Sequence, residues 1–263
     1  MLTELGLAAL MWMLPQPSAD APAAVEADPA IFVIRDQDTT VYLFGTLHVL
    51  SPGLRWFDGP VEEAFAQSDE LVVETVPAMT VAPAVLPAPA ARMTPAASFL
   101  ATTQDAVRAG QSRGMALANG ADMVLLRAAA QSGKMVEPLE TLESQFTMIA
   151  KIPGETAPLP SPSEANPEAG PEDLSRAMAQ LEDAWANGQH ELFSDMLSEM
   201  QVSAPDAYRV LFVERNARWS DWVAGRMRQP GTAFVAIGAA HLAGEDSLLV
   251  RLAQRGLISR RLR

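Results

Sequence analysis

Two of the three histidines in the 263-residue sequence occupy the same place in a repeated motif. His48 and His241 each stand three residues after a glycine that closes an apolar run, Gly45 in one case and Gly238 in the other. Imidazole is a common metal ligand and carries protons near neutral pH. Because ligands bind at the carboxyl ends of strands in an open α/β sheet, both imidazoles are expected at one sheet edge. The glycines would let the backbone turn sharply there and approach a bound group closely.

Acidic residues follow other short apolar runs, so further ligands are expected at the same edge. Glu74 closes the run 70–74, and Glu140 follows a second short run before a predicted helix. Two imidazoles and a carboxylate suit a divalent metal, Mn, Co, Fe or Zn, with positions left open for water. The predicted ligands are therefore His48, Glu74 and His241. The alternative is that the histidines are structural turn residues and the acids are solvated strand ends.

A charged and an amide side chain interrupt the apolar face of the longest predicted helix, residues 205–228. Arg215 and Asn216 lie on that face, and polar groups inside a protein must find partners there. We expect Arg215 to bind Glu74 or Glu140, or to stabilise an oxyanion together with Asn216. The catalytic candidates are accordingly Glu140, Arg215 and Asn216, and a purely structural ion pair between Arg215 and Glu140 is the alternative.

The composition excludes several classes of function. With 49% hydrophobic residues the chain can bury a core of ordinary size, and its formal net charge of -13 argues against nucleic-acid binding. Cysteine is absent, so disulfides and thiolate nucleophiles are excluded and any metal must be held by histidine and carboxylate. The sequence also lacks a Gly-x-Ser-x-Gly elbow, a phosphate-binding glycine loop and a His-Glu-x-x-His helix. Water activated by a metal is therefore the nucleophile that the composition favours.

The first 30 residues are predicted to be a signal or leader and a flexible linker, followed by one domain over residues 31–263. The apolar run 5–14 is too short to span a bilayer and precedes a small-residue stretch, as in a secretory signal, although Glu4 stands where a basic residue is expected. This predicts a periplasmic or secreted protein with no integral membrane span after signal removal. The alternative is a short amphipathic helix packed on the domain.

Hydrophobic periodicity predicts an α/β (α+β) fold with a central mixed sheet flanked by helices. Residues 41–74 and 232–262 share the order strand, Gly-x-x-His, loop, helix, strand, which indicates two weakly related halves. Asp122 and Thr141 are predicted helix caps and Gly133 a helix stop, while 76–97 and 153–171 are predicted loops. Strands are expected at 31–34, 41–44, 70–74, 134–139 and 232–237, and helices at 60–67, 122–133, 141–150, 174–185, 192–200, 205–228 and 245–255.

These segments resemble the TraB/PrgY/GumN family over about residues 31–263. The resemblance begins at Val41-Tyr42-Leu43-Phe44-Gly45-Thr46-Leu47-His48 and continues through the segments 70–74, 120–134, 139–145, 214–216 and 234–242. It implies a fold shared with the TIKI metalloproteases, which resemble this group and use paired Gly-x-x-His motifs with Mn or Co. The loops 76–97 and 153–171 depart from the family pattern, so the substrate is not carried over.

Two functions are compatible with these observations. The first is a metal-dependent hydrolase, a peptidase in the periplasm or at the cell surface, acting on a peptide or small-molecule substrate. The second is a non-catalytic module that binds a peptide or glycan, or an accessory protein of polysaccharide biosynthesis. Two imidazoles and several carboxylates at one edge favour the hydrolase.

Overall fold

The computed structural model describes residues 25–76, 105–152 and 171–262. The predicted signal, most of the loop 76–97 and all but the last residue of the loop 153–171 lie outside these ranges. In the ranges described, no helix is long and apolar enough to cross a membrane.

The described residues form a mixed six-stranded sheet flanked by helices, which confirms the predicted fold class. The strands of this sheet are β2 Ile31–Arg35, β3 Thr39–Thr46, β5 Glu70–Val73, β6 Met135–Pro138, β7 Gly231–Gly238 and β8 Arg260–Arg261, and a separate parallel pair joins β1 Val25–Glu26 to β4 Leu54–Arg55. The strand order in the six-stranded sheet is β6-β5-β7-β3-β2-β8. The strands β6, β5, β7 and β3 are mutually parallel, and β2 pairs antiparallel with both β3 and β8.

The central strands have apolar residues on both faces because helices cover the sheet on both sides. Along β7, Phe234 and Ala236 face one core cluster while Val235 and Ile237 face the other. All four side chains are fully buried. The uninterrupted apolar run 233–237 is therefore the sequence of a buried parallel strand, and its end is fixed in space by packing on both faces.

Helix boundaries follow from local sequence signals at several places. Gly133 ends a helix in the left-handed conformation with φ 66°, and the Thr141 side chain caps the next by accepting from the Ser144 amide. Both features were predicted. Residues 105–111 are helical, and the helices whose two ends lie in the described ranges are α1 Gly59–Gln67, α2 Ala121–Ser132, α3 Leu142–Ile149, α4 Pro171–Ala186, α5 Glu191–Ser203, α6 Pro205–Tyr208, α7 Glu214–Arg226 and α8 Leu248–Gln254.

The helix predicted over 205–228 is interrupted by a π turn at Arg209–Val213, between α6 and α7. A single extra residue in a helical turn rotates the remainder of the helix by about 100°. The turn therefore decides which side of α7 faces the sheet, and Arg215 and Asn216 lie immediately after it. A π turn is often found beside a functional site, and the helix predicted over 205–228 is confirmed from Pro205 to Arg226 with this turn inside it.

The part of the predicted leader that the structure describes, residues 25–30, packs against the domain. β1 pairs with β4, the Asp28 amide donates to the Ala186 carbonyl, and Ala30 is buried. Residues 25–30 are therefore part of the folded unit.

Candidate active site

Three neighbouring parallel strands deliver the predicted ligands to one edge of the sheet. β3 and β7 pair with Thr46 opposite Gly238, and β5 pairs with β7 with Val73 opposite Ala236. His48 follows β3, Glu74 follows β5, and His241 lies in the 3-10 turn Ala239–Leu242 after β7. The expectation that these residues lie at the carboxyl ends of adjacent strands is confirmed.

A cavity of about 290 Å³ opens at this edge. Its polar lining is His48, Asp122, Glu74 and Arg215 together with Thr75 and Gln145, and the remaining walls are apolar. His241, Glu140 and Asn216 do not line it. The sequence candidates therefore divide into groups that face the cavity and groups that lie behind it.

His48 is held by a carboxylate that the sequence did not identify. Its Nδ1–H donates to Asp122 Oδ2 at 2.8 Å, and the Thr46 hydroxyl donates to the other oxygen of Asp122 at 2.8 Å. The hydrogen bond to Asp122 outweighs desolvation and raises the pKa of His48 to about 9. The side chain of His48 is 63% exposed and lines the cavity, and its ring is held through Nδ1.

Asp122 reaches His48 because the start of α2 packs directly on the loop after β3. The Ala121 amide donates to the Leu47 carbonyl, and a Cβ on Gly120 would meet the carbonyl oxygen of His48 at 2.1 Å. The helix cap is Gly120, and Asp122 lies in the first turn without capping it. The prediction that Asp122 is the cap was wrong, because its carboxylate is bound to Thr46 and His48 instead.

Arg215 lies at the centre of the buried part of the site. Its Nη2 donates to Glu74 Oε2 at 2.6 Å, its Nε donates to Glu140 Oε2 at 3.0 Å, and its Nη1 donates to His241 Nε2 at 3.1 Å. The guanidinium also stacks on the Trp219 ring, with Cζ 4.5 Å from the ring centroid. The inward position of Arg215 and its pairing with carboxylates, both predicted, are confirmed, and one guanidinium joins three of the candidate residues.

Glu74 is ionised although it is largely buried. Burial opposes its ionisation, but the charge of Arg215 overcomes this, and the pKa falls to about 2. The second oxygen, Oε1, accepts from the Gly238 amide at 2.6 Å. A Cβ on Gly238 would meet that oxygen at 3.1 Å, so glycine makes room for the carboxylate.

Gly45 and Gly238 were predicted to allow sharp turns beside a bound group, and the structure gives them a packing role instead. Neither has a positive φ. A Cβ on Gly45 would lie 3.0 Å from Cα of Ala239, where β3 and the turn after β7 approach each other. Neither glycine lines the cavity.

His241 is neutral and fixed in one tautomer. Its Nδ1 lies 2.7 Å from Asn216 Oδ1, and Asn216 Nδ2 donates to the Asp246 carbonyl, so the amide oxygen accepts the proton on Nδ1. Burial lowers the pKa of His241 to about 3, and Nε2 therefore keeps its lone pair for Arg215. Asn216 is 1% exposed. It positions His241 and does not reach the cavity, so the oxyanion role expected of it does not fit.

Glu140 is also occupied behind the cavity. Its two oxygens accept from Arg215 Nε and from Arg218 Nη2, each at 3.0 Å. The side chain is 5% exposed. Glu140 therefore fixes Arg215, and the proton-transfer role expected from the sequence does not fit this geometry.

The predicted metal ligands are suitable in type, but their donor atoms are engaged. Both imidazoles are held at Nδ1 by an oxygen, which is how metal-binding histidines are oriented to present Nε2. However, Arg215 donates hydrogen bonds to Nε2 of His241 and to one oxygen of Glu74. The Gly238 amide donates to the other oxygen of Glu74. Among the residues described, no group of three histidines or acids is arranged to hold a metal ion. In this arrangement the three residues do not fit a metal unless Arg215 withdraws, and metal binding stays a prediction.

Comparison with known proteins places these residues in a family. The model of the TraB/PrgY/gumN family matches residues 30–86 and 81–261. A relative from Escherichia coli (strain K12), named uncharacterized protein YbaP, is 30% identical over 138 residues, which is 52% of this chain and 49% of the relative.

The protein of the same name from Shigella flexneri matches to the same extent, and the aligned segment spans about half the length of each of these relatives. No solved structure matches the chain. The family match includes both Gly-x-x-His motifs and the residues that hold them, and the chain therefore belongs to the TraB/PrgY/gumN family.

Proposed function

We propose that this protein is a hydrolase of amide bonds, a peptidase that acts in the periplasm or at the cell surface, with its reaction centre in the cavity at the carboxyl ends of β3, β5 and β7. One observation carries the proposal. An imidazole held by a carboxylate, His48 with Asp122, faces the same small cavity as a largely buried guanidinium, Arg215. Together these groups can move a proton and stabilise a developing negative charge, the two needs of water attack on a carbonyl.

His48 is the proposed proton carrier. With Nδ1 bonded to Asp122, its Nε2 takes a proton from the attacking water and returns it to the leaving amine. A substrate that covers the exposed ring desolvates the imidazolium, which lowers its pKa from about 9 toward the working pH. Asp122 keeps the ring orientation fixed during both transfers and is a positioning residue.

Arg215 is the proposed oxyanion stabiliser. Its guanidinium carries a full positive charge in a site from which most water is excluded, so its attraction for an oxyanion is stronger than at a surface. The carboxylates of Glu74 and Glu140 hold it from two sides. Because these partners are already in place before substrate arrives, little reorganisation is needed during the reaction.

A divalent metal remains a separate part of the proposal. If Arg215 withdraws, His48, Glu74 and His241 offer two imidazoles and a carboxylate, a donor set that suits Mn or Co. Such an ion would supply hydroxide near neutral pH. The roles given above to His48 and Arg215 do not depend on it.

The test is a hydrolysis screen with a library of quenched fluorescent peptides. Protein purified without chelator is assayed as it stands, after EDTA treatment, and with Mn, Co or Zn added back. We expect cleavage by the wild type and none by the Asp122→Ala, His48→Ala double variant. A matched control is Asp221→Ala, which removes an exposed acid that pairs with Arg255 and does not line the cavity.

The conditions of the screen separate the alternatives. Cleavage after EDTA treatment supports the arrangement described, whereas cleavage only with Mn or Co requires Arg215 to leave its partners. Peptide binding without cleavage under every condition would overturn the proposal in favour of a binding module.

A further inference from the structure

Five of the residues that line the cavity are apolar, and nothing in the proposed chemistry explains them. Three different helical segments and the end of one strand contribute these residues. We name this set the aliphatic wall, and its residues are Val73, Leu126, Met148, Ile149 and Leu211.

The aliphatic wall lies next to the reacting groups. Leu126 follows Asp122 by four residues in α2, so the two side chains share one helix face about one turn apart. Val73 directly precedes Glu74 at the end of β5. Any substrate group on this wall is therefore adjacent to the bond that His48 and Arg215 would act on.

The wall is formed by packed residues. Met148, Ile149 and Leu211 are buried members of a small core cluster in which α3 packs on the π turn. The Met148 sulfur also accepts from Arg218 Nη2 at 3.2 Å. A surface held in this way is formed before the substrate binds, which lowers the entropic cost of binding.

The charges that line the cavity are already paired. Glu74 is bound to Arg215, and Asp122 is bound to His48. The aliphatic wall offers only apolar side chains, so a charged substrate side chain placed on it would lose its hydration without a partner there, which is unfavourable. An aliphatic side chain gains from leaving water, by about 1.5–3 kcal/mol for full burial of a leucine-sized group.

We propose that the aliphatic wall is the specificity subsite for one aliphatic side chain, of the leucine or methionine type, in the substrate residue adjoining the scissile amide. The volume of about 290 Å³ lies at the lower end of ligand cavities, which are about 300–1,000 Å³, and suits a short segment of peptide. The assignment of a scissile amide rests on the proposed function. The preference for an aliphatic group rests on the wall alone.

The first experiment measures binding and does not require hydrolysis. Protein labelled with ¹³C in the methionine methyl groups is titrated with N-acetyl-leucine amide, N-acetyl-aspartate amide and N-acetyl-lysine amide, and the Met148 signal is assigned with Met148→Leu. We expect the leucine amide to shift the Met148 methyl resonance and to bind at least tenfold more tightly than either charged amide. Equal binding of the three amides, or tighter binding of a charged one, would overturn the subsite.

The second experiment uses a pair of leucine variants. Leu126→Gln places a polar group on the aliphatic wall and should weaken leucine amide binding about tenfold. Leu249→Gln is the matched control. Leu249 is also half-buried, but it packs against the core cluster that contains Val235 and Ile237 and does not line the cavity. Weakening by both variants alike would contradict the subsite. Selective binding of the leucine amide by a protein that cleaves no peptide would keep the subsite and reject the proposed hydrolase.

Discussion

His48→Ala should lower kcat/KM for the best peptide substrate by about 10²–10⁴-fold, the usual contribution of a positioned proton carrier. The substitution removes the imidazole that faces the cavity and leaves Asp122 and Arg215 in place. Because the side chain is 63% exposed, the fold should survive. Initial-rate kinetics and a thermal melt of the same preparation measure both effects.

His190→Ala is the matched control for this prediction. His190 is half-buried at the start of α5 against the Phe32 ring, with ring centroids 5.5 Å apart, and it does not line the cavity. Its replacement should leave kcat/KM within a factor of about two, since no reacting group changes. If His48→Ala retained wild-type rates, or if both variants lost activity equally, His48 would not be the proton carrier.

Arg215→Ala should reduce the free energy of unfolding by about 3–5 kcal/mol, the typical cost of removing one partner of a buried ion pair. The variant leaves Glu74 and Glu140 without their shared cation in a part of the protein that water scarcely reaches. It also removes the group that packs on Trp219. Chemical denaturation followed by circular dichroism measures the change.

Arg218→Ala separates this effect from the general loss of an arginine. Arg218 also binds Glu140, but its side chain is 51% exposed, and exposed ion pairs contribute at most about 1 kcal/mol. We therefore expect a small change for Arg218→Ala and a large one for Arg215→Ala. An Arg215→Ala protein as stable as Arg218→Ala would show that the buried carboxylates do not depend on Arg215.

The sequence was most informative where a residue type conflicts with its surroundings. An arginine on an apolar helix face must be paired inside, which correctly predicted that Arg215 would lie with Glu74 and Glu140. The repeated glycine and histidine spacing after apolar runs likewise predicted that His48 and His241 would follow neighbouring strands. Both inferences rest on patterns within a few residues of the sequence, and each pattern has a single physical explanation.

The features of the site that the sequence did not predict depend on contacts between segments that are distant in the chain. Asp122 has the local signature of a helix cap, and only the packing of α2 on the Leu47 backbone brings its carboxylate to His48. The apolar periodicity of residues 205–228 did not reveal the π turn at Arg209–Val213. The sequence also did not reveal that Asn216 joins His241 to the Asp246 carbonyl.

The pH dependence of kcat/KM, measured on chelator-treated protein, tests most directly whether His48 held by Asp122 carries the proton. This profile reports the free enzyme, so the neutral form of His48 should accumulate as the pH rises and kcat/KM should increase roughly tenfold per unit until it levels near the pKa of about 9. In Asp122→Asn the charged hydrogen bond that raises the pKa is lost, and the plateau should begin at a lower pH, nearer the ordinary histidine value of about 6.5. A profile that levels at the same pH in both proteins, or activity that disappears on chelation, would contradict this role of His48.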